Sequence, residues 1–173
     1  MSPTIRRGRP GEGAALAALF HEAVHILCAA DYDAAERHAW SPAPDAAPFE
    51  RRIAETMLWV AEGENGVLLG FANLAPHGYF DCLYVAPKAA GQGVAAALCT
   101  VLEQEAQRQG CPRLTVDVSI TARPFFERRG YRLLRELQGE RRGVLRAQAL
   151  QTAWDHTGPN PPAPRRQRSR RRL

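Results

Sequence analysis

Long apolar runs are missing from this chain of 173 residues, and so is an apolar segment behind its N-terminal arginines. The first absence argues against a membrane-spanning helix, which needs about 20 apolar residues. The second argues against a secretory signal. We therefore expect a cytoplasmic protein with no membrane partner. A hydrophobic content of 45% beside 24% charged residues is typical of a globular chain with one sizeable core.

Cysteine is scarce and irregularly spaced. The four residues Cys28, Cys82, Cys99 and Cys111 include no C-x-x-C pair or other metal-ligand spacing, so no metal is predicted. In a cytoplasmic chain such cysteines are mostly small buried hydrophobic residues. Cys111 stands beside a proline in a predicted turn, where it could be exposed.

Positive charge is confined to the C-terminal end. The net charge is +5, and residues 155–173 carry six arginines and one aspartate, which leaves residues 1–154 balanced. The segment 153–173 is rich in proline and arginine, lacks apolar periodicity and is predicted to be a disordered tail behind a single domain at 1–152. An arm for nucleic acid or acidic membranes is the less favoured alternative.

The first third of the chain has helical periodicity. After a short edge strand at "TIRRG", apolar residues three and four positions apart in "GEGAALAALFHEAVHILCAA" predict an amphipathic helix. Two shorter helices are predicted in "DYDAAERHAW" and "APFERRIAETM". The first of these ends at a Ser-Pro pair.

The period then changes to that of strands. Residues 58–62, 67–75 and 79–86 are predicted to form an antiparallel meander. Asn65-Gly66 between the first two is a tight-hairpin signal, because both turn positions favour positive φ.

The last part of the chain alternates helices and strands. A helix at 93–109 precedes the strand "RLTVDVS", predicted to run parallel to the strand before that helix. A short helix in "TARPFFERRG" takes Thr121 as its N-cap and Gly130 as its C′ residue, and two strands follow in "YRLLRELQG" and "GVLRAQALQ". The order predicts an α/β fold around a mixed, mostly antiparallel sheet of about seven strands flanked by about five helices.

The stretch "LYVAPKAAGQGVAAAL" carries the clearest chemical signal. A strand passes into a helix through Gly91 and Gly93, which leaves backbone N–H groups unpaired at the helix N-terminus and makes an anion site. Glycine lets a phosphate approach the backbone because it has no Cβ. The phosphate-loop motif and the dinucleotide fingerprint are both absent. The loop is therefore predicted to bind a pyrophosphate that belongs to neither an NTP nor NAD.

This stretch resembles the acyl-CoA-binding motif of the GNAT superfamily of N-acyltransferases, R/Q-x-x-G-x-G/A, through Gly93 and Ala95. Ala90 stands where the family usually has Arg or Gln, which should weaken the phosphate contact. "ARPFFERRGY" resembles the second signature, A-x-x-F-Y-x-x-x-G-F. With the matching element order, the resemblance covers about residues 4–150. It implies that the two parallel strands splay apart around acetyl-CoA.

The resemblance also implies which residues bind the co-substrate acetyl-CoA. Backbone groups of the strand before the loop would pair with pantetheine, and a strand N–H near Leu83 would stabilise the thioester oxyanion. The amine would attack the thioester directly, so no nucleophilic cysteine is needed. The predicted CoA-binding residues are Leu83, Tyr84, Val85, Ala90, Gly91, Gln92, Gly93, Val94, Ala95, Ala96 and Phe126.

Two positions depart from the catalytic pattern that the resemblance implies. Phe126 stands where a tyrosine usually protonates the departing thiolate, and Ser119 stands where an asparagine is common. Phe126 has no proton to donate, so another group does so or the thiolate leaves unaided, since a thiol of pKa about 8.5 is a fair leaving group. Ser119 is a candidate catalytic residue.

Asp81 is the predicted base or proton-wire member. It is a carboxylate in an otherwise apolar strand, and alternation places it on the same face as Leu83. An exposed or ion-paired role is the alternative. Asp117, in the middle of the next strand, is a second candidate.

Aromatic and imidazole side chains supply candidates for the acceptor side, although each such residue is more often at the surface or in the core. Core packing is the favoured role for Trp40, and His77 is predicted to be exposed in a hairpin loop. The acceptor-side candidates are His21, His25, His38, Tyr32 and Trp40.

The sequence thus predicts an N-acetyltransferase that moves an acetyl group from acetyl-CoA to a primary amine through a tetrahedral intermediate. The acceptor, a small molecule, a peptide or a protein lysine, is not identified by the sequence, and the protein is expected to be a monomer or a homodimer. Two alternatives stay open. One is a CoA-binding module of the same fold with weak or no transfer; the other is a nucleic-acid-associated protein recruited through its basic tail.

Overall fold

Residues 2–139 and 141–150 are described by the structure, a computed structural model. Within them, seven strands and five α-helices follow one another in the predicted order. The tail predicted at 153–173 lies outside the described residues. The strands are β1 (Thr4–Arg7), β2 (Met57–Glu62), β3 (Leu68–Ala75), β4 (Tyr79–Val85), β5 (Arg113–Val118), β6 (Arg132–Glu136) and β7 (Leu145–Leu150). The helices are α1 (Gly13–Leu27), α2 (Ala34–Trp40), α3 (Ala47–Glu55), α4 (Val94–Arg108) and α5 (Arg123–Arg128).

The strands form one sheet in the order β1-β2-β3-β4-β5-β7-β6. Every neighbouring pair is antiparallel except β4 and β5, so the predicted mixed sheet with one parallel pair is confirmed. Parallel neighbours need a crossover connection, and α4 provides it.

The parallel pair is short. Among the described residues, β4 and β5 are in register only over Tyr79–Phe80 and Thr115–Val116, whereas β4 runs on to Val85. The two strands therefore separate after Phe80, as the resemblance implies.

A β-bulge lies at the point of separation. On β3, Asn73 is opposite Cys82, while the next residue, Leu74, is opposite Phe80, so Asp81 is the extra residue of β4. A bulge bends its strand and increases the local twist, which favours the divergence of β4 from β5. It also interrupts the alternation on which the predicted orientation of Asp81 rests.

Local signals place the first helices. α2 opens with a capping box: Asp33 accepts a hydrogen bond from the Glu36 N–H at 2.8 Å, and Glu36 accepts one from the Asp33 N–H at 2.9 Å. α1 buries most of its predicted apolar stripe against the sheet. The buried stripe residues are Leu16, Leu19, Ala23 and Val24.

Helices cover both faces of the sheet. A Cβ added to Gly70 of β3 would lie 2.9 Å from Val94 and 3.2 Å from Leu98 of α4, so α4 packs closely on that face. The ring of the next residue, Phe71, lies 5.5 Å from the ring of Phe49 in α3. Because neighbouring strand residues point to opposite faces, α3 lies on the other face, and the apolar core extends over both sides of β3.

Two turn predictions are confirmed by the backbone. Asn65 and Gly66 have φ values of 59° and 76°, as the tight hairpin requires. Gly130, with φ of 90°, follows the end of α5 as its C′ residue.

The prediction that Thr121 caps α5 is wrong. The helix begins at Arg123, and the Thr121 hydroxyl donates to Asp31 at 2.8 Å. The Ser119 hydroxyl instead accepts a hydrogen bond from the Ala122 N–H at 3.2 Å. The approach to the helix is therefore held by a serine two positions earlier.

No helix in the described part of the chain is long and apolar enough to cross a membrane. The same residues include no cluster of three or more side chains suited to a metal ion. All four cysteines are free. Cys111 is half-buried in the connection between α4 and β5.

The turn between β3 and β4 yields a stability prediction. Gly78 has φ of 73°, and an added Cβ would lie 2.5 Å from the carbonyl oxygen of Arg113. Gly78→Ala should lower the free energy of unfolding by about 2–5 kcal/mol, through left-handed strain and a backbone clash. Gly66→Ala is the control, because its φ is 76° with nothing within 4 Å, and should cost about 1–2 kcal/mol. Equal losses in urea unfolding would contradict the close approach of this turn to β5.

Candidate active site

Two cavities lie where β4 and β5 separate. The inner cavity has a volume of about 440 Å³ and is bounded by α3, the segment after α2, β4 and β5. The glycine-loop cavity has a volume of about 480 Å³ and extends to the start of α4. The two share five wall residues, which we call the junction: Trp40, Leu83, Tyr84, Ser119 and Ala122.

The glycine loop presents open backbone to its cavity. Gly91 and Gly93 have φ values of 75° and 82°, and a Cβ added to either would meet nothing within 4 Å. The first main-chain bond of α4 runs from the Ala97 N–H to the Gly93 carbonyl at 3.0 Å, so the preceding N–H groups have no partner within the helix. No acidic residue stands in the first turn of α4. This helix end is therefore suited to an anion.

Nine of the predicted CoA-binding residues line the glycine-loop cavity. Gln92 does not, since its amide turns back and donates to the Lys88 carbonyl at 2.9 Å. Arg128 supplies a cationic side chain to the wall of the same cavity. The nine are Leu83, Tyr84, Val85, Ala90, Gly91, Gly93, Val94, Ala95 and Ala96.

The free edge of β4 can be assigned residue by residue. The Ala86 N–H donates to the Leu69 carbonyl on β3 at 2.8 Å. Backbone groups point alternately to the two sides of a strand, so those of Tyr84 also face β3, while those of Leu83 and Val85 face the gap left by β5. The expectation of unpaired backbone groups is therefore wrong for Tyr84, which contributes its ring to both cavities instead.

Phe126 belongs to the core. It is 2% exposed, and its ring centroid lies 5.7 Å from that of Phe80 and 5.0 Å from that of Tyr131. It reaches the wall of the inner cavity, whereas the neighbouring Phe125 lines the glycine-loop cavity. The expectation that Phe126 lines the CoA channel is thus corrected, because α5 turns the second ring inward and leaves the first at the cavity.

Ser119 lies at the junction and is nearly buried. Its hydroxyl oxygen accepts from the Ala122 N–H at 3.2 Å, and its carbonyl accepts from the Arg123 N–H at 3.0 Å. Both bonds use acceptor sites, so the hydroxyl hydrogen remains free to donate.

Asp81 lines the inner cavity and is ion-paired. Its Oδ2 accepts from Arg52 Nε at 3.0 Å and from Asn73 Nδ2 at 3.1 Å. Among the described residues, no hydrogen bond is made to its Oδ1. The carboxylate is therefore held in place through one oxygen and presents the other.

Both carboxylate oxygens of Asp117 accept hydrogen bonds. Arg146 donates from Nε to Oδ1 at 2.7 Å and from Nη2 to Oδ2 at 3.1 Å, and the Tyr79 hydroxyl donates to Oδ2 at 3.1 Å. Burial and the charge of Asp117 raise the pKa of Tyr79 to about 12, so the phenol stays protonated as the donor. Of the two candidate carboxylates, only that of Asp81 has an oxygen that accepts no hydrogen bond from the described residues.

Burial disfavours the thiolate form at three of the four cysteines. Cys82 lines the inner cavity, and burial together with the charge of Asp81 raises its pKa to about 12. Burial also raises the pKa of Cys28 and of Cys99. The thiolate is the nucleophilic form of cysteine, so none of these three is poised for attack at neutral pH.

The candidate histidines lie outside both cavities. His21 Nδ1 is 2.8 Å from the Ser41 hydroxyl, and His25 Nε2 is 2.9 Å from the Ser41 carbonyl. These two rings fix the segment after α2, which forms one wall of the inner cavity. His38 is exposed, and so is His77, as predicted for the latter.

Of the two aromatic candidates, Tyr32 is buried in the core, whereas Trp40 lines the cavities. Tyr32 is 2% exposed, and its hydroxyl accepts from the Ile120 N–H at 3.0 Å, so it belongs to the core. Trp40 packs on Tyr32 at 5.4 Å but lines both cavities. The favoured core role of Trp40 is therefore wrong, because its ring is only half-buried and borders both cavities.

Two arginines of the inner cavity, Arg52 and Arg141, are absent from the sequence prediction. Arg52 follows Phe49 by three positions on α3, and its guanidinium carbon lies 5.4 Å from that ring. An arginine on the apolar face of a helix is a signal that the sequence does offer. Arg141 lies between β6 and β7, where no local pattern distinguishes it from Arg142.

Comparison with known proteins covers most of the chain. The family described as "Acetyltransferase (GNAT) domain" matches residues 28–148. "Uncharacterized N-acetyltransferase YafP" of Escherichia coli (strain K12) is 35% identical over 140 residues, which are 81% of this chain and 88% of YafP.

Solved structures show the same fold. The crystal structure from Rhodopseudomonas palustris described as "GCN5-Related N-acetyltransferase: Aminotransferase, Class-II" has a TM-score of 0.80 at 32% identity and covers 87% of this chain and 96% of its own. The structure of YncA from Salmonella typhimurium with acetyl-CoA has a TM-score of 0.65 at 20% identity, over 87% and 95% of the two chains.

The chain belongs to the GNAT acetyltransferase family, which confirms the resemblance noted in its two signatures. By that membership it is an acetyltransferase that uses acetyl-CoA. The α/β fold predicted with it is also confirmed.

The glycine loop yields a binding prediction. Gly93→Glu would place a carboxylate in the open space at the start of α4, and we expect it to abolish acetyl-CoA binding measured by calorimetry. Gly110→Glu is a matched control, because Gly110 also has positive φ, 71°, and open space around its Cβ but lies at the other end of α4. Both variants should lose similar stability from left-handed strain. Unchanged affinity in Gly93→Glu would refute the anion site.

Proposed function

We propose that this protein transfers an acetyl group from acetyl-CoA to a primary amine by direct attack. The observation that carries the proposal is the junction, where a cavity lined by free backbone N–H groups meets a second cavity lined by carboxylates. The first suits a CoA molecule, with pyrophosphate on the N-terminus of α4 and pantetheine along the free edge of β4. The second suits the amine.

In the proposed reaction the amine nitrogen forms a bond to the thioester carbonyl carbon, and the carbon–sulfur bond then breaks. The Leu83 N–H faces the gap beside the junction and would donate to the oxyanion of the tetrahedral intermediate. The nitrogen loses a proton and becomes an amide, and CoA leaves as a thiolate that takes up a proton.

Asp81 is the proposed proton acceptor. Its Oδ2 is anchored by Arg52 and Asn73, which leaves Oδ1 to accept a hydrogen bond from the incoming amine. A base must lie within hydrogen-bond reach of the proton that it removes, and Asp81 lies on the cavity wall two residues from Leu83. Asp117 is less suited, because its oxygens already accept three hydrogen bonds.

Ser119 is the proposed donor to the departing sulfur. It lies at the junction, and its hydroxyl hydrogen is not used by its bond with Ala122. Phe126 has no such hydrogen. A hydroxyl at the junction can stabilise the thiolate by hydrogen bonding even where solvent supplies the final proton, since a thiol of pKa about 8.5 leaves readily.

The direct reaction is favoured over transfer through an acetylated cysteine. Cys82 is the cysteine on the inner cavity, and its raised pKa of about 12 keeps it as a thiol. An acyl-cysteine intermediate would need the thiolate.

A CoA-binding module without transfer is the alternative, favoured by Phe126 at the usual tyrosine position. The discriminating experiment incubates the protein with acetyl-CoA and a panel of amines and measures released CoA and N-acetylated product. We expect release that depends on the amine. Tight acetyl-CoA binding without amine-dependent release would establish the module and contradict the enzyme.

Asp81→Asn tests the proton acceptor. It keeps the shape of the side chain and removes the charge, and we expect kcat/KM for the amine to fall at least about tenfold near pH 7. The loss should shrink as pH rises, because more of the amine then arrives deprotonated. Acetyl-CoA affinity should hardly change.

Asp45→Asn is the control for that experiment. Asp45 is exposed at the edge of the same cavity, and its Oδ1 accepts from the Ala47 N–H at 3.0 Å, a bond that asparagine can also make. This variant should retain activity at every pH. A pH-independent loss in Asp81→Asn, or none, would contradict the assignment.

A further inference from the structure

Arg141 occupies a distinctive place on the inner cavity. It is half-buried, lines that cavity, and holds its guanidinium carbon 4.2 Å from the ring centroid of Trp40. Stacking on an aromatic ring fixes the plane of a guanidinium and leaves its edge N–H groups free. Because Trp40 belongs to the junction, the arginine lies beside the point where the two cavities meet.

The other arginine of the inner cavity and two of its three aspartates form ion pairs, while the third aspartate, Asp45, is exposed at the cavity edge. Arg52 is neutralised by Asp81 at 3.0 Å, and Asp117 by Arg146 at 2.7 Å. Among the described residues, no carboxylate lies within ion-pair distance of Arg141. The inner cavity therefore has one cationic side chain whose charge is not locally compensated in the described part of the chain.

The electrostatic reach of Arg141 supports this placement. Burial raises the pKa of Tyr84 and of Cys82, and the charge of Arg141 opposes both shifts. Both of these side chains line the inner cavity. The guanidinium charge therefore acts on side chains both inside the cavity and at the junction.

We propose that Arg141 binds an anionic group of the acceptor, so that the substrate is an amine carrying a carboxylate or a phosphonate. This assignment rests on the proposed function. A planar guanidinium fork matches both anions, with two parallel N–H···O bonds. The amine end of such a molecule lies toward Asp81, whose Oδ1 is free, and the anionic end lies toward Arg141.

The rest of the wall agrees with a small amino-acid-like acceptor. Phe20, Phe49 and Tyr84 give the cavity an apolar side, which suits a hydrophobic side chain. A volume of about 440 Å³ is within the range of small-molecule sites.

The phosphates of CoA are a less suitable partner for Arg141. The anion site at the glycine loop lies on the other cavity, where Arg128 supplies the cationic side chain. Arg141 is not on the wall of that cavity. Its substitution is therefore expected to change the KM for the amine and to leave the KM for acetyl-CoA unaltered.

The test compares acceptors that share one side chain: phenylalanine, its amide, phenethylamine and the matching aminophosphonate. We expect the carboxylate, the phosphonate or both to exceed the amide and the amine in kcat/KM. Arg141→Gln should lower kcat/KM for the anionic acceptor about ten- to a hundredfold, as for a lost charged hydrogen bond, and should leave the neutral acceptors nearly unchanged. Arg141→Lys should restore part of the loss, since it keeps the charge without the fork.

The matched control is Arg135→Gln on exposed β6, which removes the same charge from a side chain that lines neither cavity and should change none of these values. A wild-type preference for neutral amines would overturn the assignment. So would an equal loss for all acceptors in Arg141→Gln, which would mean that the arginine only supports Trp40. Both outcomes leave the proposed acetyl transfer standing.

Failure of the proposed function is recognised separately, by the absence of transfer to every acceptor. In that case the melting temperature of the CoA-loaded protein is measured with N-acetylphenylalanine and with N-acetylphenethylamine. Stabilisation by the first ligand alone, lost in Arg141→Gln and kept in Arg135→Gln, supports the anion site. Equal stabilisation by both ligands, or by neither, overturns it.

Discussion

The separation of β4 from β5 after only two residues of each strand is the constraint on which the site depends. Most of the sheet satisfies its backbone groups through neighbouring strands, whereas Leu83 and Val85 face a gap. Such unpaired edges favour the addition of another extended segment. The bulge at Asp81 stands at the point where pairing ends, so one irregularity both favours the divergence of the strands and changes the orientation of the carboxylate that borders the gap.

The division of charge between the two cavities follows from this opening. The glycine-loop cavity offers backbone N–H groups and Arg128 to an anionic cofactor. The inner cavity holds ion pairs anchored on α3 and β7, through Arg52 and Arg146, which keep Asp81 and Asp117 in place within a half-buried wall. Charged groups held in this way act on a substrate without first having to reorganise. The first family signature thus supplies most of the glycine-loop cavity, whereas the charged side chains of the inner cavity lie outside both signatures.

The sequence predicts the fold better than it predicts the acceptor side. The Asn65-Gly66 turn, the end of α5 at Gly130 and the glycine loop are local signals, and each is realised within a few residues of its motif. The bulge at Asp81 has no such signal, because it arises from register with β3. The exposure of Phe126 and Trp40 also has no local signal in the sequence, because it depends on how α5 and α2 pack. Arg141 becomes a site residue only when the β6–β7 hairpin brings its loop against α2.

The central claim is that the free edge of β4 receives the pantetheine of acetyl-CoA, and amide hydrogen exchange measured by NMR tests it most directly. In the unliganded protein the amides of Leu83 and Val85 should exchange faster than that of Tyr84, which faces β3. Addition of CoA should slow exchange at Leu83 and Val85 and leave Tyr84 nearly unchanged. Slow exchange of all three amides before CoA is added, or no protection of Leu83 and Val85 at saturating CoA, would contradict the account.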